Sequence, residues 1–432
     1  MPTPIHPTDP SPAREAALRV VRTLRDAGHE ALFAGGCVRD ALLGLEPTDF
    51  DVATDAPPER VQELFRRTQA VGAAFGVVLV HQKVGGARRS TEVATFRTDG
   101  AYADGRRPDG VTFATAEEDA QRRDFTCNGL FSDPLHATPE SAGHPLADAD
   151  GVIDFVGGRA DLAAGVLRAI GVPAERFAED HLRLLRLVRF AARFGFRLDP
   201  ATAEAAQAAA PRVAGVAAER VGEELRRVLT AAAPAPALGV RLLQDLSLAE
   251  PALGPGEGRP PATLAALGDA PHATALATLA LDRHGAPADA SAVVRGRWAA
   301  SLCLPNAVAD DAVAALLGLD RLRGWDALGV PQRKRLASSP GFHAGAFALL
   351  RATDPDAARR VGADLDALAA DGVGLAPRPL LDGRALIAAG LRPGPAFKGL
   401  LDAAYDAQLA GEVTDAAGAL GFAQARAAPP PR

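Results

Sequence analysis

Cysteine is scarce in this chain: Cys37, Cys127 and Cys303 are the only three in 432 residues, odd in number, far apart and without a CxxC pair. That spacing argues against a disulfide framework and against a thiolate metal site, and it fits a reducing compartment. Aromatic residues make up only 5%, with two Trp, two Tyr and a single Met. The accompanying wealth of Ala, Arg and Gly reads as a coding bias and names no activity. No uncharged run approaches the roughly 20 residues that span a bilayer. Met1 to Pro12 has neither the basic start nor the apolar core of a signal peptide. A soluble, intracellular protein of the cytoplasm is expected, with no membrane. Positive charge is also in deficit: Lys and Arg number 47 against 53 Asp and Glu, a net charge of −6. The molecule is no polycation, so any nucleic-acid partner must be held by a local basic patch.

What is present is ordinary globular material, 48% apolar and 23% charged, in a chain long enough for two to four domains. Ser11-Pro12 opens an apolar-periodic run that closes at Gly28, which predicts a capped helix. Ala31 to Ala34 reads as a buried strand, Gly35-Gly36 as a tight turn, and Val38 to Leu43 as a helix ending at Gly44. Phe50 and Val52 alternate with Asp49 and Asp51, a strand pattern. Pro57 to Arg67 predicts a helix, and Val77 to Gln82 and Thr91 to Phe96 predict further strands. Thr115 to Glu118 is a capping box, expected to open a helix running through Arg123 toward Leu130. From Pro173 onward helical periods dominate, beginning with Pro173 to Phe194 and continuing through Ala201 to Ala210 and Ala217 to Leu229. Linkers are expected at Pro234, Pro236 and Pro251 to Ala262. The fold class expected is α+β, an N-terminal domain of mixed sheet and helices followed by an all-α remainder.

Chemistry gathers in the first half. A glycine pair is by itself a common turn, but Gly35 and Gly36 lie between a strand and a helix carrying Arg39. Backbone N–H groups and a guanidinium one turn on could there meet a polyphosphate. In a strand of period two, Asp49 and Asp51 face one side about 7 Å apart. Their mutual repulsion is relieved by a hard divalent cation, and Mg²⁺ usually pairs one or two carboxylates with substrate phosphates. Metal-assisted phosphoryl or nucleotidyl transfer is the natural chemistry, with Glu92 on a neighbouring strand as the third carboxylate. Arg122, Arg123, Asp124 and Asn128 could be a surface set of ion pairs, or could bind phosphate and the ribose 2′-hydroxyl. In Glu179 to Arg189 arginines recur every third residue, so at about 100° per residue Arg183, Arg186 and Arg189 wind slowly round a helix otherwise covered by Leu, Val and Phe. Buried guanidinium groups need counter-charges. Either Glu179 and Asp180 supply them, or an anionic nucleotide does.

With these pieces in order, the chain resembles the class II tRNA nucleotidyltransferase and bacterial poly(A) polymerase family of the polymerase β superfamily. The residues that carry the resemblance are Gly35-Gly36-Cys37-Val38-Arg39-Asp40, Asp49-Phe50-Asp51, Glu92 to Arg97, Arg122 to Asn128 and Glu179-Asp180 to Arg189, with a weaker match over Leu380 to Arg384 and Ala407 to Gly411. Cys127, Gly129 and His181 depart from the common pattern without removing a charge. The resemblance implies a polymerase β-like nucleotidyltransferase head over 1–155, a helical neck that recognises the base over 156–245, and a helical body and tail that bind tRNA over 246–432. It implies Mg²⁺ on Asp49 and Asp51, which are catalytic together with Glu92. Nucleotide would be bound by Gly35, Gly36, Arg39, Arg123, Asp124, Asn128, Asp180, Arg183, Arg186 and Arg189, with Asp180 and Arg183 reading the base edge. The implied activity is addition of C, C and A to the tRNA 3′ end from CTP and ATP, with no protein partner. Poly(A) synthesis or a partial CC- or A-adding activity is the alternative within the family, and a non-catalytic RNA-binding relative the remote one. The segment Thr98 to Pro108 is expected to be a surface loop that assists the switch from C to A.

Overall fold

The computed structural model describes residues 11–71, 76–99, 111–136, 143–338, 340–392 and 394–427. They divide into two compact units, one formed by Met1–Val228 with Leu238–Gly254, the other by Leu229–Ala237 with Pro255–Arg432.

The first unit opens with helix α1 (Pro12–Asp26), whose cap Ser11 accepts from the Arg14 N–H and whose Ala16, Ala17, Val20, Val21 and Leu24 are buried. Its apolar stripe lies on a seven-stranded mixed sheet ordered β3-β4-β5-β2-β1-β8-β9. The strands are β1 (Ala31–Ala34), β2 (Asp51–Thr54), β3 (Thr68–Ala70), β4 (Val77–Val84), β5 (Ala87–Thr95), β8 (Leu130–Ser132) and β9 (Val152–Asp154), with β6 (Arg97–Asp99) and β7 (Val111–Phe113) paired apart as a separate ribbon. Between β1 and β2 runs α2 (Gly36–Leu42), and between β2 and β3 runs α3 (Pro58–Leu64). Strand β1 sits between two antiparallel neighbours, while β2 runs parallel to β5 with Val52 beside Val93. Leu32, Ala34, Ala53, Phe96, Phe131 and Ile153 of the sheet close over Ala116 and Ala120 of α4 (Ala116–Gln121). The capping box at Thr115 and Glu118 is formed in full. Of the loop expected over Thr98 to Pro108, the first two residues belong to β6 and residues 100 onward lie outside the described residues.

Four sequence expectations are corrected. The helix opened by Thr115 stops at Gln121 instead of running toward Leu130. Phe125 turns extended and bridges Ala169, with the Thr126 N–H donating to the Arg168 carbonyl at 2.9 Å and the Ile170 N–H to the Asp124 carbonyl at 3.2 Å. Those tertiary backbone bonds, with the Phe125 ring fully buried, outweigh the helical continuation. The helix expected over Pro173 to Phe194 is two, α6 (Pro173–Glu179) and α7 (Leu182–Phe194), because Asp180 takes φ −142°, ψ 106° and its carboxylate accepts from the Leu182 N–H at 3.0 Å, as a helix-starting aspartate does. Strand β2 begins at Asp51, so Asp49 stands just before it instead of within it. Short strands also persist past the sheet domain: β10 (Val166–Leu167) runs parallel to β11 (Arg197–Leu198).

Helix α5 (Gly158–Ala164) precedes β10, and α8 (Pro200–Ala209) and α9 (Ala218–Leu229) follow β11. In the second unit the regular elements among the described residues are all helices. Helix Asn306–Arg323 packs on Pro340–Thr353 and on His272–His284, and a separate core of Leu381, Leu386, Ala404, Ala407 and Val413 forms near the end of the chain. No helix among the described residues is long and apolar enough to cross a membrane.

Helix α5 approaches the Thr126–Asn128 turn so closely that a Cβ on Gly158 would lie 2.1 Å from the Thr126 carbonyl oxygen. Neighbouring Gly157 has φ +78° with open space around it. Gly158→Ala should therefore cost at least about 2 kcal/mol by overpacking, against about 1 for Gly157→Ala, which strains only the backbone. Thermal melts of both variants should rank 158 below 157, and equal melting would refute the close approach.

Candidate active site

The parallel register that sets Val52 beside Val93 also sets Asp51 beside Glu92 on the same face of the sheet, the face opposite the buried Val52 and Val93. Phe50 anchors the approach by turning inward against Phe33, ring centroids 5.3 Å apart, which leaves Asp49 and Asp51 outside the core. Burial, then Glu92, then Asp49 push the Asp51 carboxyl up to about 6, against a smaller pull from Arg123. Negative charge is thus in excess at this point. Among the described residues, no three His, Cys, Asp or Glu side chains meet in a metal-holding arrangement. The carboxylates still fit a divalent cation by the chemistry of the donor set, since neighbouring carboxylate oxygens of like charge are what such a hard ion relieves. Cys37 lies close by, but burial and then Asp51 push its thiol up to about 12, which keeps it inert.

The glycine turn stands at the end of β1. Gly35 has φ +68°, ψ −115°, and a Cβ there would lie 2.9 Å from Nη1 of Arg123. Glycine is therefore required twice, for its conformation and for the guanidinium beside it. Arg123 is oriented by Asp119, which accepts from Nε at 3.1 Å and Nη2 at 2.9 Å, while Nη1 donates to the Asn128 carbonyl at 3.1 Å. Arg39 sits deeper, only 4% exposed. Its guanidinium donates to Asp40 at 2.8 Å and to the Asn128 side-chain oxygen at 2.5 Å, and lies over the rings of Phe190 and Phe194.

Asn128 completes a relay, its amide donating at 2.9 Å to Asp124, which also accepts from Nε of Arg186 at 2.7 Å. Burial works against the Asp124 charge, but Arg186 and the Asn128 amide hold its carboxyl at about 2. The arginine row of α7 is thereby partnered one residue at a time. Arg183 pairs with Glu179 and donates to the carbonyls of Arg176 and Arg122 at 3.0 and 3.1 Å, Arg186 pairs with Asp124, and Arg189 donates to Glu224 of α9 at 3.2 Å. Arg39, Arg186 and Arg189 all lie within 5.2 Å of the Phe190 ring centre. Asp180 does not serve the row, because both of its oxygens are taken by Arg220 at 3.2 and 2.7 Å.

The fold thus brings Gly35, Arg39, Arg123, Asp124 and Asn128 into one hydrogen-bonded group with Gly36 beside Arg39, Arg186 joined through Asp124, and Asp51, flanked by Glu92 and Asp49, within reach of Arg123. Asp180, Arg183 and Arg189 are set by a second group built from Glu179, Arg220 and Glu224. Four of these partners carry the geometry without having been singled out in the sequence. Asp119 was legible, standing three and four residues before Arg122 and Arg123 at helical spacing. Arg176, Arg220 and Glu224 were not, since their partners are set by how α6, α7 and α9 pack.

Asp124 should be a pH-sensitive keystone. Its folded carboxyl at about 2 lies below the ordinary 3.8, so its contribution is complete above about pH 4 and is lost as pH falls toward 2, some 2 kcal/mol in all. Asp124→Asn should lower stability at pH 7 by at least that amount. Urea unfolding followed from pH 6 downward should see the wild-type and variant curves converge below pH 4. Curves that stay parallel would assign the acid sensitivity to another group.

The chain is also similar to known proteins. Residues 31–168 match the Poly A polymerase head domain, and residues 195–256 match the probable RNA and SrmB-binding site of polymerase A. The CCA-adding enzyme of Lactiplantibacillus plantarum is 41% identical over 244 residues, 56% of each chain, and that of Bacillus subtilis 40% over 224 residues, 51% of this chain and 52% of the other. The chain thus spans about half the length of the curated relatives it matches. In three dimensions it is similar to the Bacillus stearothermophilus CCA-adding enzyme solved in complex with CTP, with a TM-score of 0.73, 27% identity, and 96% of this chain and 99% of that one covered. The Thermotoga maritima CCA-adding enzyme complexed with tRNA superposes with a TM-score of 0.68 over 96% and 95% of the two chains, but at 18% identity that likeness speaks to the fold alone. Residues 31–168 thus carry a Poly A polymerase head domain and residues 195–256 an RNA-binding segment of the same polymerases, and over about half of its length the chain is similar to CCA-adding enzymes.

Proposed function

We propose that this cytoplasmic chain adds C, C and A in turn to the 3′ end of tRNA, using CTP and ATP and releasing pyrophosphate. The observation that carries the reading is the crowding of Asp51, Glu92 and Asp49 beside Arg123 and the Gly35 turn. Excess carboxylate there meets a guanidinium and helix-start N–H groups suited to phosphate. The names of the curated relatives, all CCA-adding enzymes, and the CTP complex of one solved relative support the choice of substrates.

Proteins of this family generally need a divalent metal, and Mg²⁺ is the ion the oxygen donors favour. Asp49 and Asp51, with Glu92 beside them, would hold it, and the bound ion would lower the pKa of the primer 3′-hydroxyl and offset charge on the departing pyrophosphate. The chain's own residues do the rest. The 3′-oxygen attacks the α-phosphorus, the bond to the β-phosphate oxygen breaks, and the hydroxyl proton leaves toward the carboxylates or solvent. Arg123, fixed by Asp119 and the Asn128 carbonyl, steadies the triphosphate without having to reorganise. Asp180 and Arg183 select the base: a carboxylate accepts from the exocyclic amine of C or A and a guanidinium donates to a ring acceptor, whereas U and G present the opposite polarity. Arg220 holds both Asp180 oxygens, so it pre-orients the carboxylate edge.

Purified protein given tRNA lacking its last three nucleotides, with CTP and ATP, should stop at three additions. A long ladder with ATP alone would replace this reading with poly(A) synthesis, and no extension would sink catalysis altogether. Asp49→Asn and Asp51→Asn should each fold yet lower turnover at least about a thousandfold. Asp180→Ala or Arg183→Ala should admit UTP or GTP more than it weakens triphosphate binding. Continued exclusion of both nucleotides would move selection elsewhere.

A further inference from the structure

Away from the carboxylates, the same unit carries an open cleft of about 1010 Å³ between α1, the segment that leads from α3 into β3, and the outer half of β4. Arg19, Arg22, Arg66, Arg67, Lys83 and Arg88 line it, with no Asp or Glu among the lining residues. All six are exposed. Among the described residues Arg19 alone of the six has an ion-pair partner, Glu15. In a chain of net charge −6, six cations lining one cleft with no acidic side chain in the lining are a local reversal of sign.

Two features make this a built surface and not a chance cluster. Lys83 and Arg88 stand directly opposite each other across the β4–β5 hairpin, an arrangement of like charges that destabilises a hairpin unless an anion lies between or over them. The three backbone segments are also tied together. The His81 N–H donates to the Arg67 carbonyl at 2.9 Å, the Gln82 amide to the Ala16 carbonyl at 3.4 Å, and the Arg19 guanidinium to the Lys83 carbonyl at 3.5 Å. The cations are therefore displayed on a fixed frame, which limits the ordering cost of binding.

We propose that this cleft is an RNA-binding surface of the head, holding the phosphodiester backbone of the substrate at a distance from the nucleotide being added. The occupant follows from the chemistry. Small-molecule pockets of about 300–1,000 Å³ are mostly apolar with a few placed polar groups, whereas this one reaches that size with cations from several elements and no acidic side chain. Spread-out guanidinium groups suit a chain of phosphates, and Phe65, also in the lining, offers a ring on which an unpaired base can stack. The proposal deepens the reading of the chain as an RNA-extending enzyme and rests on it.

The test uses the full chain with Arg66→Ala, Arg67→Ala and Lys83→Ala combined, and a charge-keeping control with Arg66→Lys and Arg67→Lys. Binding of tRNA lacking its 3′ CCA is titrated over a range of salt. Removing three phosphate contacts should weaken binding about tenfold or more at low salt and reduce the slope of log affinity against log salt by about 2, since each contact contributes about 0.7 to 0.9. The lysine control should retain the wild-type slope. Incorporation of one C into a short acceptor-stem hairpin at saturating concentration should match wild type in both variants, because none of these residues belongs to the carboxylate or base-reading groups. Unchanged RNA affinity and slope in the triple variant would overturn the proposal. Loss of polyglutamate binding without loss of RNA binding would overturn it in favour of an acidic protein partner. A wild-type chain that binds no RNA at all would instead overturn the functional reading on which the proposal rests.

Discussion

The requirement that governs this molecule is the neutralisation of guanidinium groups on a helix that is otherwise apolar. Arg183 and Arg189 of α7 are each only 8% exposed, and Arg186 is flanked by the same Leu, Val and Phe surface. An unpaired charge in such a place costs several kcal/mol. Each guanidinium is met by a carboxylate from a different stretch of chain: Glu179 from the end of α6, Asp124 from the turn after α4, and Glu224 from α9. Removing the row would free three separate elements from one another. The partnering also fixes local conformation. Asp124 can reach Arg186 because α4 stops at Gln121 and the next residues run extended, and Arg183 reaches the Arg122 carbonyl for the same reason.

Phe190 adds a second, cheaper form of neutralisation. Three guanidinium carbons approach one ring, the nearest, that of Arg189, at 4.4 Å, and the ring is itself met edge-on by Phe125. The face of an aromatic ring tolerates a cation without binding it irreversibly. Charge at the two ends of the site is consequently handled in opposite ways. The arginines are partnered by protein groups, as the Asp124 carboxyl held at about 2 reflects, with burial still drawing Arg189 down to about 10. At Asp51, by contrast, burial and then the charges of Glu92 and Asp49 raise the carboxyl. An excess of one sign marks where a charged reactant is missing; partnering marks where geometry is being held. On the proposed function, the carboxylate end is the place of reaction, and the arginine end both holds the frame that aims it and carries Arg183, which reads the base.

How much of this was legible in the sequence follows the range of the forces involved. The capped start of α1, the box at Thr115, the glycine turn after β1 and the inward placing of Phe50 are set by neighbours within a few residues, and each stands as its local pattern implied. The broken helix at Asp180 was also locally encoded, since an aspartate two residues before an N–H it can cap is a helix start, but the surrounding apolar period hid it. The early end of α4 had no local signal. It results from a bridge between Phe125 and Ala169, forty-odd residues apart. The same distinction applies to the site. Asp49, Asp51, Glu92 and the arginine row were visible as residue types at telling spacings, whereas the arginine that holds Asp180 and the glutamate that holds Arg189 come from α9, a helix whose sequence alone gives no reason to look toward α7.

Net charge is a poor guide to such a molecule for a related reason. A balance of −6 describes the far field, which a Debye length of about 8 Å at physiological salt largely screens. What a polyanion meets at contact is the local arrangement, and here the arginines fall into two populations that the total cannot separate. Arg183, Arg186 and Arg189 of α7 each meet a carboxylate inside the fold. Arg19, Arg22, Arg66, Arg67 and Arg88, which line the cleft, are exposed and, apart from Arg19, have no ion-pair partner among the described residues. An acidic chain can thus present a basic surface without any basic run in its sequence, because the cations that build it come from three stretches that only the sheet and its covering helix bring together.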